Sequence, residues 1–431
     1  MTRKAVIAVV IGNWLEFYDF IVYTFFAVMI GEAFFPGDNS TAKLLASLAT
    51  FGAGFITRPI GAAIIGAYAD RHGRRAALTV TILLMAAGSA LVGITPSYHQ
   101  IGIAAPIILV LARLLQGFST GGEVGPATTY LLEAVPHKAR AASTAWQGYS
   151  QSLAAIMGSG IGLILATMLS KQDLYSWGWR IPFLAGIIIA PVGLYIRQRL
   201  PETIEKHEVH ESALAVLTHL FRHHARTVLL GICLICGGTV STYVFSYMTT
   251  YAITTLHLSE AIGTTLTLTG AVASIAGLFI GVWADQFGRK PVFVGVRLFY
   301  IALTYPAYLL MTAQGSTPMT IILVNMGLNF ISSMAIGGLY ALMSEAFPKA
   351  VRSSGVSILY ALGVAIFGGT TQFVIAWLIA VTGNKLVPGF YTIAANLVMV
   401  LAVVFMPRHE EVERELQDAL GEAVAESGTG T

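Results

Sequence analysis

Polar positions are scarce along this chain and gather in short clusters, and between the clusters lie apolar runs long enough to cross a bilayer. A membrane-spanning helix needs about 20 mostly apolar residues. Runs of that kind can be read at roughly 5–30, 44–69, 76–95, 101–134, 141–169, 181–199, 226–252, 260–283, 291–312, 318–346, 353–381 and 388–406. The pattern predicts an all-α polytopic membrane protein with twelve transmembrane helices. The longest polar interruption runs from Pro201 to Arg226. It suggests an N-terminal six-helix bundle (1–200), a linker (201–225), a C-terminal six-helix bundle (226–406) and a tail (407–431). In the linker, Leu214, Leu217, Leu220 and Phe221 recur at helical spacing beside His219, Arg222, His223 and His224. That reads as an amphipathic helix on the membrane surface rather than a His-rich metal site. The acidic tail reads as a short helix, with too few heptads for a coiled coil.

Two of the polar clusters occur twice. GAYADRHGRR (Gly66–Arg75) is answered by GVWADQFGRK (Gly281–Lys290), and Glu133-Ala-x-Pro136-x-x-x-Arg140 by Glu345-Ala-x-Pro348-x-x-x-Arg352. Each copy trails its first by roughly 212–215 residues, so the halves follow one design. Such internal symmetry in a membrane protein points to a transporter with its substrate between the halves near the midplane. Within the loops, Gly73 and Gly288 permit tight turns. Asp70 and Asp285 can accept from a helix N-terminus or an arginine, and Arg71, Arg74 and Arg289 hold the loops at the membrane surface. These residues, with Glu133, Arg140, Glu345 and Arg352, are expected to form gating latches. Gln286 replaces the basic residue of the first copy, which weakens the second latch.

Composition agrees. Of 431 residues 55% are hydrophobic and 11% charged, with mean hydropathy +0.72, whereas soluble domains carry about 25% charged residues. Roughly 18 of the 25 Lys and Arg fall at the termini or in the loops on one side; Lys43, Lys171, Arg180 and Lys385 occupy the other. That bias places both termini in the cytoplasm. The net charge of +3 reflects this topology and implies no nucleic-acid partner. Arg3 and Lys4 precede a run studded with Asn13, Glu16 and Asp19, unlike a cleavable signal. Cys233 and Cys236 sit one turn apart in an apolar run and read as structural rather than as a redox or metal pair.

A charge buried in lipid costs about 2.5–3.5 kcal/mol on the lenient scales, so each one needs a reason. Glu16, Asp19, Glu123, Arg58, Arg113 and Arg297 fall inside spans, while all 10 His lie in loops or at edges. Any proton relay must then use carboxylates. At about 1.5 Å per residue, Arg58 lies roughly 18 Å, Glu123 roughly 15 Å and Asp19 roughly 21 Å from the cytoplasmic rim. Asp19 and Arg113 can therefore meet, with Glu16 one turn from Asp19. Arg297, six residues past Pro291, is expected to snorkel to the surface. Arg58 and Arg113 could be fixed ion pairs locking helices together. The reading preferred here is recognition of an anionic substrate, because a guanidinium stays charged and presents a fork that matches carboxylates. Asn13, Gln147, Gln151, Tyr243, Tyr247, Tyr251, Asn325, Asn329 and Gln372 supply polar lining for a shared lumen.

The paired loops resemble the signature of the major facilitator superfamily. More narrowly, GNWLEFYDF (Gly12–Phe20), GFITRPIGA (Gly54–Ala62), RLLQGFSTGGE (Arg113–Glu123) and WGWRIPF (Trp177–Phe183) are similar to its metabolite:proton symporter branch. The resemblance implies alternating access and proton symport of a small metabolite such as citrate, 2-oxoglutarate, shikimate or a zwitterionic osmolyte. Arg113 resembles the citrate and dicarboxylate carriers, and the segment Phe367–Phe390 the citrate and tricarballylate carriers, which implies an organic anion, foremost a tricarboxylate. Substrate contacts would come from Arg113, Arg58, Asn13, Gln147, Gln151, Tyr247, Tyr251 and Gln372. Proton uptake would fall to Asp19 with Glu16 or Glu123; sodium coupling and uncoupled transport are the alternatives. Members of the superfamily mostly act as monomers. No phosphate-binding Gly-Lys loop, HExxH or intramembrane ligand cluster is present, so neither enzyme activity, cofactor nor metal is expected.

Overall fold

A computed structural model describes residues 3–72, 74–121, 140–187, 191, 225–283, 289–336, 339, 342–343 and 359–406. Among them the chain is helical and contains no strand. Each predicted apolar run coincides with helix over its described part, the runs at 101–134, 181–199, 318–346 and 353–381 being described only in part. Eight helical stretches are long and apolar enough to cross a bilayer. The first span is instead broken: α1 (Arg3–Phe25) and α2 (Ala27–Phe34) meet at Phe26 with a bend of 70°. No Pro or Gly causes it. The cause is tertiary: a Cβ at Gly31 would stand 2.9 Å from Lys43 O, so α2 lies against the start of α3 (Ser40–Ile56). Lys43 Nζ seals that contact at 2.6 Å from Glu32.

The second span opens at Thr57, between α3 and α4 (Arg58–His72). Here the cause is local. Pro59 has no N–H to give to the carbonyl of Phe55, so the helical ladder loses a rung. Thr57 Oγ1 turns outward and donates to Leu114 O of α7 (Ala104–Gly121) at 2.7 Å. The break presents the Arg58 side chain at a helix N-terminus inside the span.

Small residues weld this span to α7. A Cβ at Gly117 would lie 1.5 Å from Gly54 O, one at Gly121 1.9 Å from Arg58 O, and one at Gly61 1.9 Å from Phe118 O. Gly117 and Gly121 are one turn apart, the spacing that lets two backbones approach in lipid. Helix α5 (Arg74–Ile94) packs on the other side of α7. The short α6 (Tyr98–Ile101) connects α5 to α7, and the short α9 (Lys171–Ser176) follows the long α8 (Arg140–Met168).

The later part comprises α10 (Ala225–Thr254), α11 (Glu260–Trp283), α12 (Arg289–Thr312), α13 (Pro318–Ser333), α14 (Gly369–Thr382) and α15 (Val387–Phe405). Thr317 caps α13, its Oγ1 accepting from Thr320 N at 3.2 Å ahead of Pro318. Helix α14 ends on Gly383, whose φ of 65° is the left-handed cap. It is entered through a π turn at Val364–Gly368. Such widened turns often sit at functional sites.

The two parts touch along α8 and α11, α3 and α14, and α1 and α10. A Cβ at Gly52 would come within 2.4 Å of Gly369 O, so α3 and α14 meet backbone to backbone. Thr250 Oγ1 donates to Thr24 O at 3.3 Å. At the same end Lys171 Nζ lies 3.2 Å from Glu260 Oε1, and Tyr175 donates to that oxygen at 3.2 Å. Burial raises the Tyr175 hydroxyl pKa, and the Glu260 charge adds to the shift.

Candidate functional site

The buried charges of the first part converge behind the bend at Thr57. The ring of Phe20 in α1 lies 4.5 Å from the Arg58 guanidinium and 4.6 Å from that of Arg113. Phe55 covers Arg58 at 4.1 Å; Tyr23 and Phe51 cover Arg113 at 4.6 and 5.1 Å. The two cations are thus within about 9 Å of each other, and they repel. Both are buried, Arg113 fully.

Arg113 is only partly satisfied. Its Nη1 donates to Gln116 Oε1 at 2.5 Å, but Nε and Nη2 have no acceptor. Those two groups form the side edge that grips a carboxylate with two parallel hydrogen bonds. Asp19 does not form an ion pair with Arg113; the two are joined by a relay. Ser89 of α5 donates to Asp19 Oδ2 at 2.5 Å, and Gln116 Nε2 donates to Ser89 at 3.0 Å. The other carboxylate oxygen, Oδ1, has no donor and faces Gly186, where a Cβ would stand 3.1 Å away. Tyr18, beside Asp19, donates to Pro182 O at 2.9 Å. A buried carboxylate with one bare oxygen is a place where a proton can be taken up.

Glu16 is buried one turn earlier and turns toward the second part of the chain. Tyr243 of α10 interacts with Glu16, Arg58 and Arg113. Its ring stacks edge-on against Phe51 and Phe55. Gln372 of α14 donates to Tyr243 O at 3.3 Å and to Thr24 Oγ1 at 3.4 Å, leaving its own Oε1 without a donor. The π turn makes this possible: it brings Gly368 and Gly369 against Phe55, Tyr243 and Gly52.

The structure sorts the remaining expected residues. Asn13 donates to Ser150 of α8 at 2.5 Å, and Gln151 is half-buried on the same helix. Tyr247 and Tyr251 are not at the arginine pair. They pack with Tyr308 in a separate apolar cluster that also takes in Ala27, Leu44 and Leu48 of the first part, and Tyr251 donates to Lys385 O at 2.6 Å. The stripe of tyrosines on α10 therefore reaches the arginines only through Tyr243. Arg297 does not snorkel: it is 1% exposed and held inside the second part. Its side chain is drawn inward by acceptors on α13 and α15, a pull invisible in its own helix. Glu123, Gly73, Glu133, Asp285, Gly288, Glu345 and Arg352 lie outside the described residues, as do the linker and tail. So do the side chains of Gln147, Asp70, Arg71, Arg74, Arg140 and Arg289. Among the described residues no cluster of His, Cys, Asp and Glu could hold a metal ion.

Four contributors escaped the sequence reading. Ser89 and Gln116 carry the relay, and Phe51 and Phe55 build the cage. Gln116 stands three residues after Arg113, a spacing that puts both on one helix face; Ser89 gave no signal of its own.

The model of the Major Facilitator Superfamily matches residues 9–363 and 254–423. The chain belongs to that superfamily. A "Citrate-proton symporter" from Klebsiella pneumoniae is 35% identical over 411 residues, covering 95% of this chain and 92% of that protein. A "Proline/betaine transporter" from Escherichia coli K12 is 31% identical over 438 residues, covering 97% and 85%. Among solved structures, a D-xylose-proton symporter aligns with a TM-score of 0.74 at 20% identity, covering 94% of this chain and 98% of that one. That likeness establishes the fold. The chain is a multi-pass symporter of the major facilitator type and not an enzyme.

Proposed function

We propose that this protein carries a small organic anion together with protons by alternating access, and that the anion is a tricarboxylate such as citrate or tricarballylate. The observation that carries the reading is the Nε–Nη2 edge of Arg113, buried and without an acceptor, beside the second guanidinium of Arg58. Two guanidiniums faced by Asp19 and Glu16 leave the empty site without net charge. Protonating both carboxylates leaves a charge of about +2, which two carboxylates of an entering substrate neutralise. Asp19, with Glu16 or Glu123, is the proton carrier in this scheme; Arg113 and Arg58 take the substrate, with Gln372, Asn13, Gln147 and Gln151 as polar lining.

Coupling has an energetic reason. Bringing a trianion in against an inside-negative potential costs about 2.3 kcal/mol per charge per 100 mV. Two protons cancel two of those charges. The basic-residue bias supports an inner-membrane protein with both termini cytoplasmic, and the repeated loops support two six-helix halves joined by 201–225. The protein acts as a monomer in this scheme, and the Asp70 and Asp285 loops latch its cytoplasmic side.

The betaine-carrier relatives favour a second reading, a zwitterion. A quaternary ammonium seeks open aromatic faces. Here the rings of Phe20, Phe51 and Phe55 already cover guanidiniums, which favours the anion.

The test uses proteoliposomes with an imposed pH gradient. Asp19→Asn should abolish uphill accumulation of labelled citrate and retain counterflow exchange; undiminished accumulation would overturn the assignment. Competition by citrate, tricarballylate, 2-oxoglutarate, shikimate and betaine ranks the substrates. Betaine as the strongest competitor would replace the anion reading.

A further inference from the structure

The second part of the chain buries a cation of its own. Arg297 Nη1 donates to Ser332 Oγ of α13 at 3.3 Å and to Asn396 Oδ1 of α15 at 3.2 Å. Asn396 Nδ2 donates in turn to Ser241 Oγ of α10 at 3.0 Å and to Thr392 O at 2.8 Å. The rings of Phe293 and Tyr300 flank the guanidinium at 5.6 and 6.0 Å. Four helices therefore meet on one charge, and every contact is neutral. The Nε–H, buried with the rest, has no acceptor.

Among the described residues no carboxylate answers it. Between residues 226 and 406 the acidic side chains are Glu260, Asp285 and Glu345. Glu260 is the first residue of α11 and is engaged by Lys171 and Tyr175. Asp285 and Glu345 lie outside the described residues. None belongs to α10, α12, α13 or α15. An arginine cannot shed its proton to escape burial, and serine and asparagine oxygens return only part of its lost hydration. Among the described residues no carboxylate supplies its counter-charge.

We propose that the Nε edge of Arg297 is an anion site in the second part of the chain, distinct from the Arg58–Arg113 pair. It takes one negative charge, either an inorganic halide or the carboxylate of a small organic acid. Helix α10 stands between the two cationic centres, since Ser241 serves the Arg297 cluster and Tyr243, two residues on, faces Arg58. An anion on Arg297 offsets a positive charge on the far side of α10 from the substrate cations. The inference holds whichever metabolite is carried.

The experiment measures thermal unfolding of the purified full-length protein in lipid nanodiscs. Sodium chloride replaces sodium isethionate at constant ionic strength in one arm, and sodium citrate is titrated into isethionate in the other. If a halide is the occupant, chloride raises the melting temperature of the wild type and of Arg113→Gln, and leaves Arg297→Gln unmoved. If an organic carboxylate is the occupant, chloride is silent and the citrate midpoint weakens in Arg297→Gln as it does in Arg113→Gln. Arg297→Lys keeps the charge and loses the Nε edge. It should weaken the apparent dissociation constant for the effective anion by about tenfold, the worth of one charge-assisted hydrogen bond. It also serves as the test should Arg297→Gln fail to fold. Wild-type midpoints for both anions in Arg297→Lys, or the full chloride and citrate response in Arg297→Gln, would overturn the proposal.

Discussion

Arg113 and Arg297 invite direct comparison. Each is buried, flanked by aromatic rings, and holds a hydrogen bond through Nη1 to neutral side chains of its own neighbourhood. They differ in what surrounds them. Around Arg113 stand a second cation and two carboxylates, one of which, Asp19, is tied to it through Ser89 and Gln116, so the local charge can change when a proton arrives. Around Arg297 the described neighbours are neutral, and its charge is fixed. The lesson is that buried arginines of equal exposure can belong to a switch or to a permanent field, and the neighbouring carboxylates decide which.

The backbone around each arginine offers the sharpest way to separate the two regions. Gly117→Val would force a side chain into Gly54 O and part α7 from the span that carries Arg58. We expect a loss of about 3 kcal/mol of stability, seen as a lower melting temperature and absent uptake. Gly295→Ala, two residues from Arg297, meets nothing within 4 Å. It should be neutral or stabilise by up to about 1 kcal/mol through better helix propensity. Next in size is Arg113→Lys, which retains the charge and removes the fork. Citrate uptake should fall by about tenfold to a hundredfold, mainly through KM, and a preserved KM would show that the edge does not grip substrate.

Smaller effects are expected in the relay. Ser89→Ala leaves Asp19 Oδ2 and Gln116 Nε2 without their shared partner, at a cost of about 1–3 kcal/mol. The readout is the dependence of accumulation on the pH gradient, which should weaken about tenfold. The smallest effect belongs to Lys171→Ala in α9. Lys171 is 73% exposed, so its pairing with Glu260 should be worth less than about 1 kcal/mol. That difference should vanish in 1 M salt, where the Debye length is about 3 Å.

Much of the molecule was legible in the chain. Helices follow from apolar run length because a backbone in lipid has to satisfy its own hydrogen bonds. The break at Thr57 was written in Pro59, though it takes effect only in combination with Leu114 O. The bend at Phe26 was not written locally; it arises where Gly31 admits α3. The tyrosine stripe on α10 was visible as spacing, yet only the neighbouring helices assign Tyr243 to the arginines and Tyr251 to Lys385 O. Arg297 failed as a surface residue because distance to the end of its helix ignores the acceptors offered by α13 and α15.

The one-dimensional pattern determined the membrane class, the helical spans, the repeat and the short list of charges that have no business in lipid, because each of these is a property of a single segment meeting its solvent. Tertiary structure decided which of those charges share a field, which are bridged by a serine, and which stand alone. Those outcomes depend on contacts a few ångströms long between residues far apart in the chain, as with Gln372 and Thr24, and no local periodicity encodes them.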